Sequence, residues 1–431
     1  MKPKKILFLE KMLRLMAVAV LKRHQPSVVA ITGSVGKTSA KDAISQVLWA
    51  KFSVRENQKN YNNEIGIPLT IIGVESGGRN IFKWLWVLLK WLGTLIWPGY
   101  PEILVLELGI DRPGDMAHFM SFLQPTVGVV TNVSASHLEF FATVEKIAKE
   151  KSVLIKALSE NGFAILNGDD ELAGQMEKNS KAEVLKFGFA PEATINASNL
   201  SYNYQASSPD GLSFKLNYDG KNIPIRLKNI LAGHYVYAAL AGVAVGVVFK
   251  INLVEIAQAL ENLQAPTGRM NLLGGANDSF LIDDTYNASP VSTLAALETL
   301  LQLQTQRKIA VLGDMLELGE ESQRGHHDVV KKVLQSKIDL LFVIGRRMEE
   351  AVKQLIAQGQ ATDKIVIFAS HEEIMLALQK IVKSGDFILV KGSQGMRMEK
   401  IVAGLLAQPT EAEKLLCRQT KHWKEKPYMR P

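Results

Sequence analysis

The sequence is almost without cysteine. Its one thiol, Cys417, has no partner in the chain, which excludes a disulfide-stapled secreted design and fits a reducing cytoplasm. Acidic residues are the scarcer charge, 43 against 50 Lys and Arg, and the formal charge of +7 favours an anionic partner: nucleotide, nucleic acid or acidic lipid. Repeats and low-complexity tracts are absent, and 47% hydrophobic against 22% charged residues leaves no room for long disorder. A secretory signal is missing too. Glu10, Lys11 and Arg14 interrupt the first apolar run, and no small-residue cleavage site follows it. Residues 1–26 read instead as a basic amphipathic helix, with Leu7, Met12, Leu15, Ala19 and the cations Lys4, Lys11, Arg14 on differing faces.

What is present is an α/β rhythm. Val28 to Thr32, Ile103 to Leu108, Val127 to Thr131 and Ala164 to Asn167 are short β-branched runs separated by helical patterns, the signature of a buried parallel sheet. A second series follows Pro266, with strands expected at Ser279 to Asp283, Lys308 to Leu312, Leu340 to Ile344, Lys364 to Phe368 and Phe387 to Val390. The expected fold class is therefore α/β: a central, mostly parallel phosphate-loop sheet domain over residues 27–265, then a Rossmann-like α/β domain over 266–408 and a tail over 409–431. The stretch from Ala193 to Ile225 alternates polar and apolar residues like a small antiparallel addition, and Leu263 to Arg269, with Pro and Gly, reads as the hinge.

The first chemistry lies at Gly33-Ser34-Val35-Gly36-Lys37-Thr38-Ser39, between a strand and a helical pattern running through Leu48. Glycines let backbone N–H groups face a polyphosphate and the helix N-terminus adds positive potential. Lys37 neutralises phosphate charge, and Thr38 offers a hydroxyl to magnesium. The spacing is shorter than the standard phosphate loop, and a plain glycine turn is the competing reading.

Further motifs stand in order along the chain. They are Asn60-Tyr61-Asn62-Asn63-Glu64-Ile65-Gly66-Ile67-Pro68, Glu107-Leu108-Gly109, the run Asn132 to Glu139 with His137, Ile147 to Lys151, and Asn167 to Asp170. Gly268-Arg269-Met270, Asp283 to Pro290, Leu312 to Gly319 and Lys391-Gly392-Ser393 complete the set. Together they resemble the Mur ligases from about Val28 to Val402, most of all the branch that adds D-alanyl-D-alanine to a muramoyl tripeptide. The resemblance implies an ATP-dependent, ADP-forming carboxylate–amine ligase working through an acyl phosphate. It implies ATP and magnesium as cofactors, a cell-wall precursor carboxylate and a dipeptide or amino-acid amine as partners, and no nucleic acid.

By the same resemblance Thr38, Glu107, His137 and Lys151 hold magnesium, Lys151 as a carbamate. Glu107 also ends a buried strand, where a carboxylate needs a cation or a donor. Asn60, Asn62 and Asn63 would form the substrate loop. Arg269 would reach the phosphates and Asp284 the ribose, brought to ATP by domain closure, while Lys391, Ser393 and Arg397 would form the amine pocket. Each has a plainer alternative: a structural histidine, a solvated helix lysine, a hinge salt bridge at Arg269, turn capping at Asp283 and Asp284, and surface cations at Lys391 and Arg397.

The sequence also departs from the family pattern. About 32 residues precede Gly33, fewer than an independent domain needs, so the family's N-terminal UDP-sugar-binding domain is expected to be missing. In Gly233-His234-Tyr235-Val236-Tyr237-Ala238, Tyr235 and Ala238 replace two asparagines, so Tyr235 either stacks on adenine or packs in the core. Within residues 80–98, Ile81 to Trp97 carries four of the six tryptophans with Lys83 and Lys90 on one helical face. That is an interfacial pattern, on the inner face of a membrane, or a helix docked internally. The alternatives for the whole chain are a folylpolyglutamate- or cyanophycin-type amide ligase, and a non-catalytic membrane-associated ATP-binding scaffold.

Overall fold

The β-branched runs assemble, in a computed structural model of the chain, into two sheets of nine and six strands. The structure describes residues 3–58, 61–78, 80–134, 138–205, 208–305, 307–360 and 363–427. Two units divide the chain. One comprises Met1–Leu200, Ser213–Leu227 and His234–Leu263; the other comprises Ser201–Leu212, Lys228–Gly233 and Gln264–Pro431.

Through the first sheet the chain runs α1 (Lys4–His24), β1 (Ser27–Thr32), α2 (Lys37–Leu48), β2 (Val54–Glu56), α3 (Gly66–Ile72), α4 (Ile81–Ile96) and β3 (Ile103–Glu107). It continues with α5 (Asp115–Met120), β4 (Val127–Val130), α6 (Leu138–Phe141), α7 (Val144–Lys156), β5 (Phe163–Asn167), α8 (Glu171–Gly174) and β6 (Glu183–Gly188). Then come β7 (Ile195–Gln205), β8 (Ser208–Tyr218), β9 (Lys221–Lys228), α9 (Tyr235–Val248) and α10 (Leu253–Glu261). The sheet order is β2-β3-β1-β4-β5-β6-β7-β8-β9, parallel from β2 through β7. The turn Asp219-Gly220, with φ of 50° and 70°, joins β8 to β9 and makes that pair antiparallel. From β1 the chain goes to β2 and then β3 on one side and returns to β4 on the other, which opens a crevice at the C-terminal ends of these strands.

Burial explains the strands: β1, β3 and β4 are apolar on both faces because helices cover the sheet. Each large aliphatic side chain so buried contributes about 1.5–3 kcal/mol. A satellite cluster of Leu13, Met16, Leu69, Ile72 and Val87 joins α1, α3 and α4. Helix α1 turns inward with Leu13, Met16, Ala17 and Val20, at i, i+3, i+4 and i+7, while Leu7, Met12 and Leu15 stay exposed. The expected apolar face is thus the outer one; α1 carries apolar residues around most of its circumference, so periodicity did not choose between faces. No described helix is long and apolar enough to cross a membrane.

The second sheet holds β10 (Asn271–Gly274), β11 (Phe280–Asp284), β12 (Lys308–Gly313), β13 (Leu340–Ile344), β14 (Ile365–Phe368) and β15 (Phe387–Lys391), in the order β10-β11-β15-β12-β13-β14. Only β10 runs antiparallel to its neighbour. The helices Pro290–Gln302 (α11), Ser322–Leu334 (α12), Arg346–Ala357 (α13), His371–Ile381 (α14) and Glu399–Leu405 (α15) alternate with these strands. The strands β2, β6 and β10 escape the sequence pattern because polar residues and glycine interrupt them, leaving no continuous apolar run.

Candidate active site

Strand β1 delivers the chain to Gly33 at the crevice. A Cβ on Gly33 would lie 1.9 Å from Thr131 Oγ1, and Gly36, at φ 81°, makes the left-handed entry into α2. The loop between them is stapled to the segment after β4. Ser34 N–H donates to the Asn132 carbonyl (2.9 Å) and Val35 N–H to Asn132 Oδ1 (2.8 Å), while the Thr131 hydroxyl donates to the Val35 carbonyl (2.7 Å). Ser34 Oγ donates to the Ser134 carbonyl at 3.0 Å. Helix α2 has no acidic residue and no side-chain cap in its first turn, which leaves its positive end facing the loop. Lys37 curls over the loop, its Nζ 2.8 Å from the Gly33 carbonyl and 3.3 Å from that of Ser34. Ser39 is buried one turn into α2.

Opposite Ile31 in the register, Glu107 ends β3 with a buried carboxylate. It accepts the Thr38 hydroxyl at 2.9 Å and the Asn62 amide at 3.1 Å, and no described cation lies within ion-pair distance. Both partners are neutral donors, so the negative charge is offset only in part. Hard oxygens of Thr38 and Glu107 side by side fit magnesium chemically. Among the described residues no group of three or more His, Cys, Asp or Glu converges. His137 and Asn60 lie outside the described residues. Asn63 accepts Gly66 N–H at 2.9 Å and holds the start of α3.

Lys151 reaches the same region from α7 and is only 2% exposed. Burial first, and then the nearby Lys37 ammonium, pull its amine down from 10.5 to about 7.

Asn57 stands outside the sequence motifs. It is fully buried, accepts Glu107 N–H at 2.7 Å, and donates to the Glu107 carbonyl (3.2 Å) and the Tyr61 carbonyl (3.3 Å), clamping the backbone beneath the carboxylate. Lys41 in turn donates to the Asn57 carbonyl at 2.9 Å. Burial would lower the pKa of the Lys41 ammonium, but Asp42 (3.1 Å), Glu56 (3.5 Å) and the field of Glu107 raise it overall. The available signal was the unbroken polar run that follows β2.

Tyr235 lies in the first turn of α9 at 1% exposure, with the His234 ring 4.9 Å away, and offers no free ring face for a base. That is the core packing weighed above. Two residues on, half-buried Tyr237 donates its hydroxyl to Asp169 (2.9 Å) and meets the Phe189 ring edge-on at 5.2 Å, a polar and aromatic ledge that the sequence did not single out.

In the second unit, Asp284 and Lys391, at the ends of paired strands, form a buried ion pair of 2.5 Å, and Lys391 also donates to the Asn287 carbonyl at 3.0 Å. Ser393 Oγ donates to the Ala288 carbonyl (3.2 Å) and accepts Leu316 N–H (2.8 Å). Arg269 stands over the Tyr286 ring at 4.4 Å. Arg397 is 2% exposed: its Nε donates to Glu399 (2.6 Å), and its Nη1 donates to the Trp423 and Lys426 carbonyls. Lys391 and Arg397 are therefore interior cations with protein partners, not surface ones.

A stapled phosphate loop at a sheet switch point, with a buried carboxylate beside its threonine, defines a nucleotide-dependent α/β enzyme. Residues 96–246 match the Mur ligase middle domain, and residues 268–394 match the Mur ligase glutamate ligase domain. The UDP-N-acetylmuramoyl-tripeptide–D-alanyl-D-alanine ligase of Escherichia coli is 30% identical, over 88% of this chain and 76% of its own length. That of Bacillus subtilis is 29% identical, over 92% and 79%. The crystal structure of MurF ligase from Thermotoga maritima in complex with ADP superposes with a TM-score of 0.73 at 27% identity, covering 94% of this chain and 84% of that one. A mutant of L. casei FPGS shares the fold at a TM-score of 0.60 and 14% identity, with 89% and 93% covered. The chain belongs to the Mur ligase family.

Proposed function

We propose that this ligase uses ATP to join a cell-wall peptide carboxylate to D-alanyl-D-alanine or a similar amine. The observation that carries the reading is the Gly33–Thr38 loop stapled beside Glu107, in a chain similar over most of its length to ligases named for that reaction. A substrate carboxylate oxygen bonds to the γ-phosphorus as the β–γ bridge breaks, giving an acyl phosphate and ADP. The amine nitrogen then bonds to the acyl carbon, phosphate leaves, and the nitrogen releases its proton. The backbone N–H groups of Gly36, Lys37 and Thr38 cradle the phosphates while those of Ser34 and Val35 hold the loop to Asn132, and Lys37, swinging off its own loop carbonyls, balances the charge that builds on the transferred group. Asn57 and Asn62 hold Glu107 in place.

Magnesium, when bound by Thr38 and Glu107, supplies positive charge to the phosphate oxygens; His137 and Lys151 are the further ligands of this reading. A lysine amine near neutrality is nucleophilic enough to take up carbon dioxide, which would make Lys151 an anionic carbamate ligand. Asn60, Asn62 and Asn63 would meet the peptide substrate, Arg269 and Asp284 the nucleotide, and Lys391 and Ser393 the incoming amine. Arg397 would act on that pocket through its fold. Work at the inner face of a membrane is also part of this reading, supported by the apolar surface of α4.

The test is phosphate release from ATP with a muramoyl-tripeptide precursor, with and without D-alanyl-D-alanine. Release that needs both, and that falls at least about a hundredfold in Lys37→Ala with an unchanged circular dichroism spectrum, is expected. Release indifferent to the amine would overturn the assignment.

A further inference from the structure

Helix α4 is turned inside out for a soluble protein. Its inward seam is Trp84, Val87 and Trp91, of which only Val87 is fully buried. On the opposite side, at i, i+4, i+7 and i+14, stand Phe82, Trp86, Leu89 and Ile96, exposed by 79%, 63%, 53% and 75%. Ile81, Leu85, Leu92 and Trp97 widen the same apolar surface. Contiguous exposure on this scale marks an interaction surface rather than ordinary scatter.

The charge around it is one-signed. No acidic residue occurs between Ile81 and Trp97, and the exposed Lys83 and Lys90 lie on one flank. Helix α1, which contributes exposed Leu7, Phe8 and Leu15 beside Lys11 and Lys22, has a single acidic residue, Glu10. The two helices are fastened together, Trp91 Nε1 donating to the Met16 carbonyl at 2.9 Å and His24 Nε2 meeting the Thr94 carbonyl at 2.8 Å. Beside α4 runs a groove of about 280 Å³ lined by Arg55, Trp86, Lys90, Thr94, Trp97 and Tyr100. It sets two cations among aromatic rings, with Arg55 over the Tyr100 ring at 4.9 Å.

We infer that α1 and α4 seat this protein on the surface of an anionic lipid bilayer, with α4 lying in the plane of the interface. A crossing is excluded by length, since 16 residues span only about 24 Å of a hydrocarbon layer of about 30 Å, and by the seam that ties α4 to α1. Apolar side chains and tryptophans enter the acyl boundary while Lys83 and Lys90 meet headgroup phosphates. The occupant is lipid rather than a second copy of the chain, because two copies would bring lysine flanks of like sign together.

Co-sedimentation of the full chain with phosphatidylcholine vesicles, with and without phosphatidylglycerol, tests this. Binding to the anionic vesicles is expected, with a blue shift of tryptophan emission, and should weaken with salt without vanishing. Reversing Lys83 and Lys90 to glutamate should cost about tenfold or more in affinity. Phe82→Ser with Trp86→Ser and Leu89→Ser should abolish binding. These side chains point outward, so the fold and the phosphate-release rate on a water-soluble substrate should be kept. The inference is overturned if the intact chain stays in the supernatant at low salt. Self-association without lipid that the triple substitution removes would also overturn it, giving the face to a second copy. Vesicle binding needs no nucleotide, so its failure would leave the ligation chemistry standing.

Discussion

Two titratable side chains show how position alone sets chemistry. Burial pushes the Asp283 carboxyl up to about 6 from 3.8; the Thr285 hydroxyl and N–H, both donating to Oδ1, pull against it, and Oδ2 has no hydrogen-bond partner among the described residues. The folded chain therefore binds this proton more readily than the unfolded chain, so the contribution to stability is full below about 4 and is lost as pH rises through about 6. Asp283→Asn should accordingly gain on the native chain between acid and neutral pH, by about 3 kcal/mol at most. Urea unfolding across that range measures it, and a pH-independent difference would contradict it. Lys151 shifts the opposite way. Its neutral amine should attack labelled carbon dioxide, lose a proton and form one carbamate, visible by carbon NMR in bicarbonate and absent from Lys151→Met. No such signal would return Lys151 to the role of a buried structural amine.

Among the elements, α11 shows the structural duty of a family motif. Ser289 and Ser292 form a reciprocal capping box, Oγ of each bonding the other's N–H at 3.3 and 3.0 Å, and Pro290 stands at the first helical position. Ser289→Ala should cost about 1 kcal/mol in thermal or urea unfolding. Part of what the run Asp283 to Pro290 encodes is thus a helix start, while Lys391 and Ser393 pin its carbonyls at Asn287 and Ala288.

The same elements show what the sequence made legible. β1, β3, β4, β5 and β13 are continuous apolar runs and were visible, as was the loop at Gly33, because glycine, lysine and threonine at fixed spacing have few other uses. Asn57 was not visible, since a buried asparagine and a loop asparagine look alike until their partners are known. Nor was the interior placement of Lys391 and Arg397: their partners lie far along the chain, and sequence spacing carries no trace of them. The segment Ile81 to Trp97 was legible as a helix with two possible fates, and it packs through the seam of Trp84, Val87 and Trp91 while most of its surface stays exposed.

At the scale of the whole molecule, the second unit is closed by the segment after α15. Glu399 accepts Arg397 and Arg418, while Arg418 also donates to the Thr285 and Tyr286 carbonyls and Trp423 lies against the Arg397 guanidinium at 5.4 Å. Ending the chain after Gln419 should therefore lower stability by about 1.5–3 kcal/mol for each charged hydrogen bond lost. It should leave the first unit's phosphate loop able to bind a fluorescent ATP analogue; loss of that binding would refute this expectation.

The distance along the chain between Arg397 and its answering carbonyls, 26 and 29 residues, also governs how the protein is made. Synthesis proceeds from the N-terminus, so β15 and the arginine are made before Trp423 and Lys426. During that interval the guanidinium lacks its two carbonyl acceptors, while β15 already has β11 and β12 to pair with. A nascent chain that pauses there carries a finished nucleotide loop and an open second unit. Slow codons between positions 397 and 426 would lengthen exposure to chaperones and proteases, whereas the same codons before Gly33 would not.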